Sequence, residues 1–451
     1  MLKQISLRIL RFQSIMVRPM KRSKIMDSMG SSIENNAIEK LSHVALSEEQ
    51  VNLKNDALKF VEDRLENYDG KPSMFVIQGD AGTGKSVILN VLFNEIQRRA
   101  KSNDCMNDVL TDTDNFLVVN HPEMLKLYHR ISKPFPYISK SALERPTSLI
   151  NRLEKSKLKA DVVIVDEAHL LATSKDAFKR FYGENHLQEL MKLAKVLLVV
   201  YDDKQSLRMG SYWDENTSDG STLSGFFEIL PTENKQWRNL QQQFRVVAEN
   251  DTLEWIEALS TEGRILDFPK SVRSGKSSFD FRIWDDCSEM YSALRELNGK
   301  IGQCRMLATY DFPYRLDGKD YFVTCGDNFK VRWDRYAPRA VLPWSERPDT
   351  FEEVGSVYTI QGFDLNYAGV ILGRCVDYDS ETDSIKLIPS LYDDHAGFTK
   401  KKNINEVNDV KEKIIMNSIN VLLTRGVKGL YIYAYNPNLR RRLRECVEKS
   451  L

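Results

Sequence analysis

MFVIQGDAGTGKSVILN, residues 74–90, joins an apolar run to a glycine-rich turn and then to a stretch with helical spacing. The run is short and rich in β-branched and aromatic residues, which predicts a strand buried on both faces. The turn carries Gly79-x-x-x-x-Gly84-Lys85-Ser86, the spacing of a phosphate-binding loop. Glycines there let backbone N–H groups curl around phosphates, and the N-terminus of the following helix adds positive potential. A lysine in that place reaches the β and γ phosphates, and a serine hydroxyl after it ligates magnesium. Gly79, Asp80, Ala81, Gly82, Thr83, Gly84, Lys85 and Ser86 are therefore the candidate residues for ATP, and Ser86 is also a candidate Mg2+ ligand.

Such a loop needs a second buried strand beside it that ends in acids, and VVIVDEAHLL (162–171) supplies one. Asp166 at the strand tip can hold the magnesium directly or through water, and Glu167 can position or deprotonate an attacking water. A protein that only switches with nucleotide has no need of Glu167, so this acid favours hydrolysis over simple binding. Ala168 and His169 are expected only to turn the chain into the next element, or to couple weakly to neighbouring strands. Similar apolar runs occur at 116–120, 196–202, 304–310, 354–360, 368–373 and 430–435. Amphipathic stretches at 51–68 and 86–101 lie among them, an alternation that predicts an α/β fold with a parallel sheet. Residues 205–240, with Gly210, Gly220, Gly225 and Pro231, read as a hinge zone between two sheets. The polar stretches 101–115, 311–353 and 376–412 read as surface insertions.

A chain of 451 residues has room for two or three domains. Hydrophobic residues make up 42% and charged residues 28%, the balance of a globular protein. Lys plus Arg and Asp plus Glu both total 64, so any polyanion must meet a local basic patch rather than a net field. No apolar run is long enough to span a bilayer. The six cysteines are scattered without a C-x-x-C pair, which argues against a zinc site or disulfide framework and for a reducing cytoplasm. Residues 1–26 differ from the rest, with seven Lys or Arg and no acid before Asp27. Residues 1–44 are read as a basic leader whose first 26 residues are similar to an organelle transit peptide, or form a disordered tail, or an over-extended start with Met16, Met20, Met26 and Met29 as later initiators.

The downstream wording separates the candidates. DEAH at 166–169 resembles a DEAH-box tetrad, yet neither the Ser-Ala-Thr nor the Gln-Arg-x-Gly-Arg-x-Gly-Arg motif of that superfamily is in the sequence. Instead VLLVVYDDKQSL (196–207) ends a strand with Asp202 and Gln205 and resembles motif III of helicase superfamily 1, with Tyr201 in place of its glycine. LQQQFR (240–245) resembles motif IV, YTIQGFDLNYAGVILG (358–373) motif V, and NVLLTRGVKGLYIY (420–433) motif VI. LSEEQ (46–50) places Gln50 where a glutamine motif contacts adenine. Together they resemble the Schlafen group 3-like DNA/RNA helicase domain family over residues 45–445.

That resemblance implies two RecA-like P-loop domains, with mainly parallel sheets, helices on both faces and the ATP site in the interdomain cleft. Residues 45–235 would form the first and 236–451 the second. Lys85, Ser86, Asp166, Glu167 and Gln205 would belong to the first, while Arg245 and Arg425 reach in from the second to neutralise charge on the transferring phosphoryl group. Gln361 and Gly362 would link the ATP state to a nucleic-acid track, and Asp364 stands where a glutamate, one methylene longer, is commoner. The implied partner is single-stranded DNA or RNA, with no membrane. A partner nuclease or protein complex is a further expectation. Tyr137, Trp237, Trp333 and Trp344 are candidate stacking platforms weighed against core packing, and Lys400–Lys402 and Arg440–Arg442 are candidate phosphate contacts weighed against solvated charge. Two other functions stay open: an ATPase that remodels a protein complex or senses in defence, and a nucleotide-dependent binding module that unwinds nothing.

Overall fold

The computed structural model describes residues 46–101, 108–177, 179–213, 221–315, 317–335, 337, 339–399 and 407–448. The expected leader and the Lys400–Lys402 cluster lie outside them. The first sheet comprises β1 (Ser73–Gly79), β2 (Asn115–Val119), β3 (Leu143–Glu144), β4 (Ala160–Asp166), β5 (Ala194–Tyr201) and β6 (Lys235–Leu240). They lie in the order β3-β2-β4-β5-β1-β6 with every neighbouring pair parallel. Strand β1 shows why this stretch is a strand: Met74 and Val76 enter one apolar cluster, Phe75 and Ile77 another, and all four are fully buried. Each such side chain contributes about 1.5–3 kcal/mol relative to exposure.

The second sheet takes up β7 (Asp280–Ile283), β8 (Cys304–Ala308), β9 (Phe322–Cys325), β10 (Phe329–Trp333), β11 (Glu353–Gly355) and β12 (Leu365–Leu372). After a separate hairpin, β13 (Val376–Asp379) and β14 (Ser384–Leu387), it is completed by β15 (Gly426–Ala434). The order is β7-β15-β12-β8-β11-β10-β9, parallel except for the β9–β10 hairpin. Helices such as Glu48–Glu66, Lys85–Lys101 and Cys287–Ile301 connect and cover the strands. Among the described residues no helix is long and apolar enough to cross a membrane.

Three expectations about organisation change. Residues 205–240 are not simply a hinge, because Lys235–Leu240 pairs along β1 from Met74 to Gly79. The first sheet therefore extends past the expected division at 235/236, and the chain passes to the second sheet between Leu240 and Asp280. Within 311–353 the hairpin β9–β10 joins the second sheet and buries Val323, Phe329 and Trp333, so this stretch is more than a surface insertion. The run 354–360 is not one strand either. Ser356 caps a new helix, Val357–Ile360, through a reciprocal capping box with Thr359, which ends the strand at Gly355.

Candidate active site

The site collects at the C-terminal ends of β1, β4 and β5, where parallel α/β sheets place their ligands. The loop after β1 turns on Gly82 (φ +88°) and Gly84 (φ +80°), left-handed conformations that glycine adopts without strain. Both glycines are also crowded. A Cβ on Gly82 would lie 2.6 Å from Cβ of Arg245, and one on Gly84 would collide with Nε2 of Gln50. The segment after β6 thus lies directly on the loop, and the Phe244 N–H donates to the Gly82 carbonyl at 2.8 Å. Gln50 works locally, in a capping box with Ser47 at the start of helix Glu48–Glu66, and its Nε2 donates to the Thr83 carbonyl at 3.1 Å. Thr83 Oγ1 in turn donates to the Asp80 carbonyl at 3.0 Å.

Lys85 is almost wholly buried, and its Nζ donates to Gly79 O (2.5 Å), Asp80 O (2.7 Å) and Asp202 Oδ2 (3.0 Å). The same Asp202 oxygen accepts from Gln205 Nε2 at 2.6 Å. Asp202 is fully buried, so it holds Lys85 and Gln205 to one point at the end of β5. Asp80 itself is exposed and pairs with Lys204 at 2.9 Å.

Asp166 ends β4 and receives the Tyr128 hydroxyl on Oδ2 at 2.6 Å and the Glu167 N–H on Oδ1 at 2.9 Å. Ser86 is within hydrogen-bonding reach of the same Tyr128 hydroxyl. Burial, and then repulsion from Glu167, raise the Asp166 carboxyl above the usual range. Burial pushes Glu167 upward too, but His169 and Lys85 outweigh it and hold Glu167 low. The backbone at Glu167 is left-handed (φ +51°), unusual for a side chain of this size, and this turns its carboxylate toward His169 Nε2 at 2.9 Å. A serine hydroxyl and a buried carboxylate are hard oxygen donors of the kind magnesium takes. Ser86 and Asp166 therefore fit the metal, beside a loop whose crowded glycines leave no room for side chains.

From beyond the first sheet come two arginines. Arg245, on the segment between the sheets rather than within the second, pairs with Asp364 at 2.5 Å. Arg425, just before β15, is fully buried. Its Nε donates to Val421 O at 2.7 Å and Nη1 to Phe363 O at 3.4 Å, while Nη2 has no hydrogen-bond partner among the described residues. Burial, then the neighbouring Arg245, depress its pKa to about 9 against the pull of Asp364, Glu167 and Asp202. Glu167 and Asp202, the acids that follow β4 and β5, are among those opposing groups, so this guanidinium lies within electrostatic reach of both.

Gln361 bridges the two halves, because its Nε2 donates to Gln205 O at 3.2 Å and lies 3.3 Å from His169 Nε2. Gly362 (φ +85°) packs on Met124, whose Sδ would lie 2.8 Å from an added Cβ. The expected residues of the phosphate loop, Asp166, Glu167, Gln205, Arg245 and Arg425 thus converge, while Gly362 and Asp364 meet Met124 and Arg245 rather than the loop. Asp202, Tyr128 and His169 were not singled out as site residues in the sequence. Asp202 beside Gln205 at a strand end was a usable signal, whereas nothing local marks Tyr128, 38 positions from Asp166. Of the candidate stacking residues, Trp333 and Trp344 are core residues with no free ring face, and Trp237 is partly buried and packs at right angles to Phe227. Tyr137 is half-buried beside Phe135. Arg442 is paired with Asp383, and Arg440 donates to Tyr433 and Ala434.

These features define a P-loop protein of the helicase type. The family model of the Schlafen group 3 DNA/RNA helicase domain matches residues 72–436, and the chain belongs to that family. It is 64% identical over 422 residues to the uncharacterized protein YPL245W of Saccharomyces cerevisiae, covering 91% of this chain and 93% of that one. Among solved structures it is similar to S. cerevisiae Dbp5 bound to RNA and ADP BeF3 (12% identity, TM-score 0.33, 90% and 92% of the two chains). It is similar also to an Arterivirus nonstructural protein 10 helicase in complex with DNA (12% identity, TM-score 0.32, 86% of this chain and 65% of that one).

Proposed function

We propose that this protein is an ATP-dependent nucleic-acid motor, a DNA or RNA helicase or translocase that hydrolyses ATP with Mg2+ and acts on single strands. The observation that carries this reading is that Gln361, from the second sheet's side, bonds Gln205 and reaches His169 beside the acids after β4, while Arg245 packs on Gly82 of the loop that carries Lys85. When the two halves move, the arginines and Gln361 move relative to the acids, so hydrolysis becomes coupled to domain motion. Magnesium, when bound, would neutralise phosphate charge and polarise the γ-phosphoryl group. Ser86 and Asp166 are the residues that would hold it. Lys85 exchanges its carbonyl and Asp202 contacts for phosphate oxygens, Glu167 orients and deprotonates water, and Arg425 offers its unpartnered Nη2 to developing charge. The two RecA-like domains are assigned to residues 45–240 and 241–451, with the division after β6. Single-stranded DNA or RNA is the partner assigned, since phosphate contacts and base stacking suit a motor of this family.

Lys85→Ala is expected to lower ATP turnover by about 100- to 1,000-fold, since it removes a preorganised positive charge from the transferring phosphates. Steady-state phosphate release measures it, and near-normal turnover would remove Lys85 from the site. The motor itself is tested by turnover with single-stranded DNA, single-stranded RNA and tailed duplexes over a salt series. Stimulation that fades as salt rises is the expected result, because phosphate contacts release counterions. A flat response to all three would point to protein remodelling instead.

A further inference from the structure

The Asp166 side chain is almost wholly buried at the end of β4 and is held at two points. The Glu167 N–H donates to Oδ1 at 2.9 Å, and the Tyr128 hydroxyl donates to Oδ2 at 2.6 Å. One bond fixes where a single carboxylate oxygen lies, whereas two bonds on different oxygens fix the plane of the group. An ionised carboxylate offers about four lone-pair directions, so two remain open for a cation or its waters.

The fold delivers Tyr128 to this point. Strand β2 runs beside β4 with Val119 opposite Asp166, and the chain then enters helix Pro122–Ile131. His121 caps that helix by accepting the Met124 N–H, and Pro122 stands in its first turn, where a missing N–H costs nothing. Met124, Leu127, Tyr128 and Ile131 form its buried face at the three-and-four spacing of an amphipathic helix. The Tyr128 ring is thus set in the same apolar cluster as Phe75 and Ile77 of β1. Packing alone would be met by phenylalanine, and it is the hydroxyl that reaches the carboxylate.

We propose that Tyr128 is a positioning residue for the magnesium site, fixing the Asp166 carboxylate so that its open lone pairs keep one direction; this rests on the assignment of Asp166 to the metal above. Magnesium requires near-octahedral placement of its ligands and gives up water reluctantly, while calcium accepts irregular oxygen shells. A carboxylate that loses one of its two anchors therefore serves magnesium worse than calcium.

The test titrates a non-hydrolysable fluorescent ATP analogue against the full chain in EDTA, over a Mg2+ series and over a Ca2+ series. It compares wild type, Tyr128→Phe, Asp166→Asn and the double variant, with no strand present and no turnover required. Tyr128→Phe is expected to raise the Mg2+ concentration that half-saturates the effect by about 10- to 100-fold, the usual loss when a hydrogen-bond partner of a metal ligand is removed. The Ca2+ midpoint rises less, and affinity in EDTA is unchanged, which also reports that the variant is folded. Adding Tyr128→Phe to Asp166→Asn moves the Mg2+ midpoint no further, because the hydroxyl acts through that carboxylate. An unchanged or lowered Mg2+ midpoint in Tyr128→Phe would overturn the proposal, as would equal shifts for Mg2+ and Ca2+. Affinity lost equally in EDTA and in Mg2+ would overturn it in favour of a packing role. A wild type that binds the analogue equally well in EDTA and in Mg2+ would remove Asp166 from the metal, and the proposal with it. The motor reading fails separately, through strands that do not stimulate turnover, and leaves this titration to decide the role of Tyr128.

Discussion

Arg425→Ala is expected to lower ATP turnover by about 1,000- to 100,000-fold, the range that an arginine supplied to the transferring phosphoryl group contributes. Nη2 of this fully buried guanidinium has no hydrogen-bond partner among the described residues, and burial together with Arg245 holds its pKa down to about 9. A cation kept in such surroundings costs stability, a cost that makes sense if charge arrives opposite it later in the cycle. Because that charge develops chiefly in the transition state, turnover must fall far more than ATP affinity. Nucleotide titration alongside steady-state kinetics separates the two, and equal losses in both would exclude the role. Arg425→Met fills much of the same space without the charge, so thermal denaturation is expected to show no loss of stability. A melting temperature well below wild type would mean that the bonds to Val421 O and Phe363 O make Arg425 a structural residue instead.

Glu167→Gln is expected to bind ATP about as tightly as wild type while turnover falls by about 100- to 10,000-fold, the contribution of a positioned base. Glutamine retains the shape but cannot take the proton from water. The substitution also removes the repulsion that, after burial, raises the Asp166 carboxyl. Asp166 then ionises more readily, so the affinity for ATP with Mg2+ holds or tightens. Binding measured with a fluorescent ATP analogue at varied Mg2+, beside single-turnover hydrolysis, reads both effects. Normal turnover would take Glu167 out of the chemistry, and weakened Mg2+-dependent binding would mean that Glu167 is itself a ligand.

Much of this was legible because the signals are local. Strand β1, the turn on Gly82 and Gly84, and the helix from Lys85 follow one another within 29 residues, from Ser73 to Lys101, and each rests on a short-range rule: apolar runs for buried strands, glycine where φ is positive, a helix N-terminus for anions. The acid-ended strand Ala160–Asp166 was readable for the same reason. Where local signals overlapped, the outcome shifted. An apolar run at 354–360 was divided by the cap at Ser356, and Lys235–Leu240 looked like part of a hinge because its side chains are only partly buried at a sheet edge.

The sequence by itself determined the α/β class, the phosphate loop, and the acids that belong beside it, since periodicity, glycine conformation and strand-end carboxylates need no distant partner. Only the tertiary structure decided what each charged group faces. Lys85 meets Asp202 across 117 positions, Asp166 meets Tyr128 across 38, and Gln361 meets His169 across 192. Hydrogen bonds act over about 3 Å of space and are indifferent to chain separation. For that reason His169 reads in sequence as a turn residue and stands in the fold between Glu167 and Gln361 of the second sheet's side.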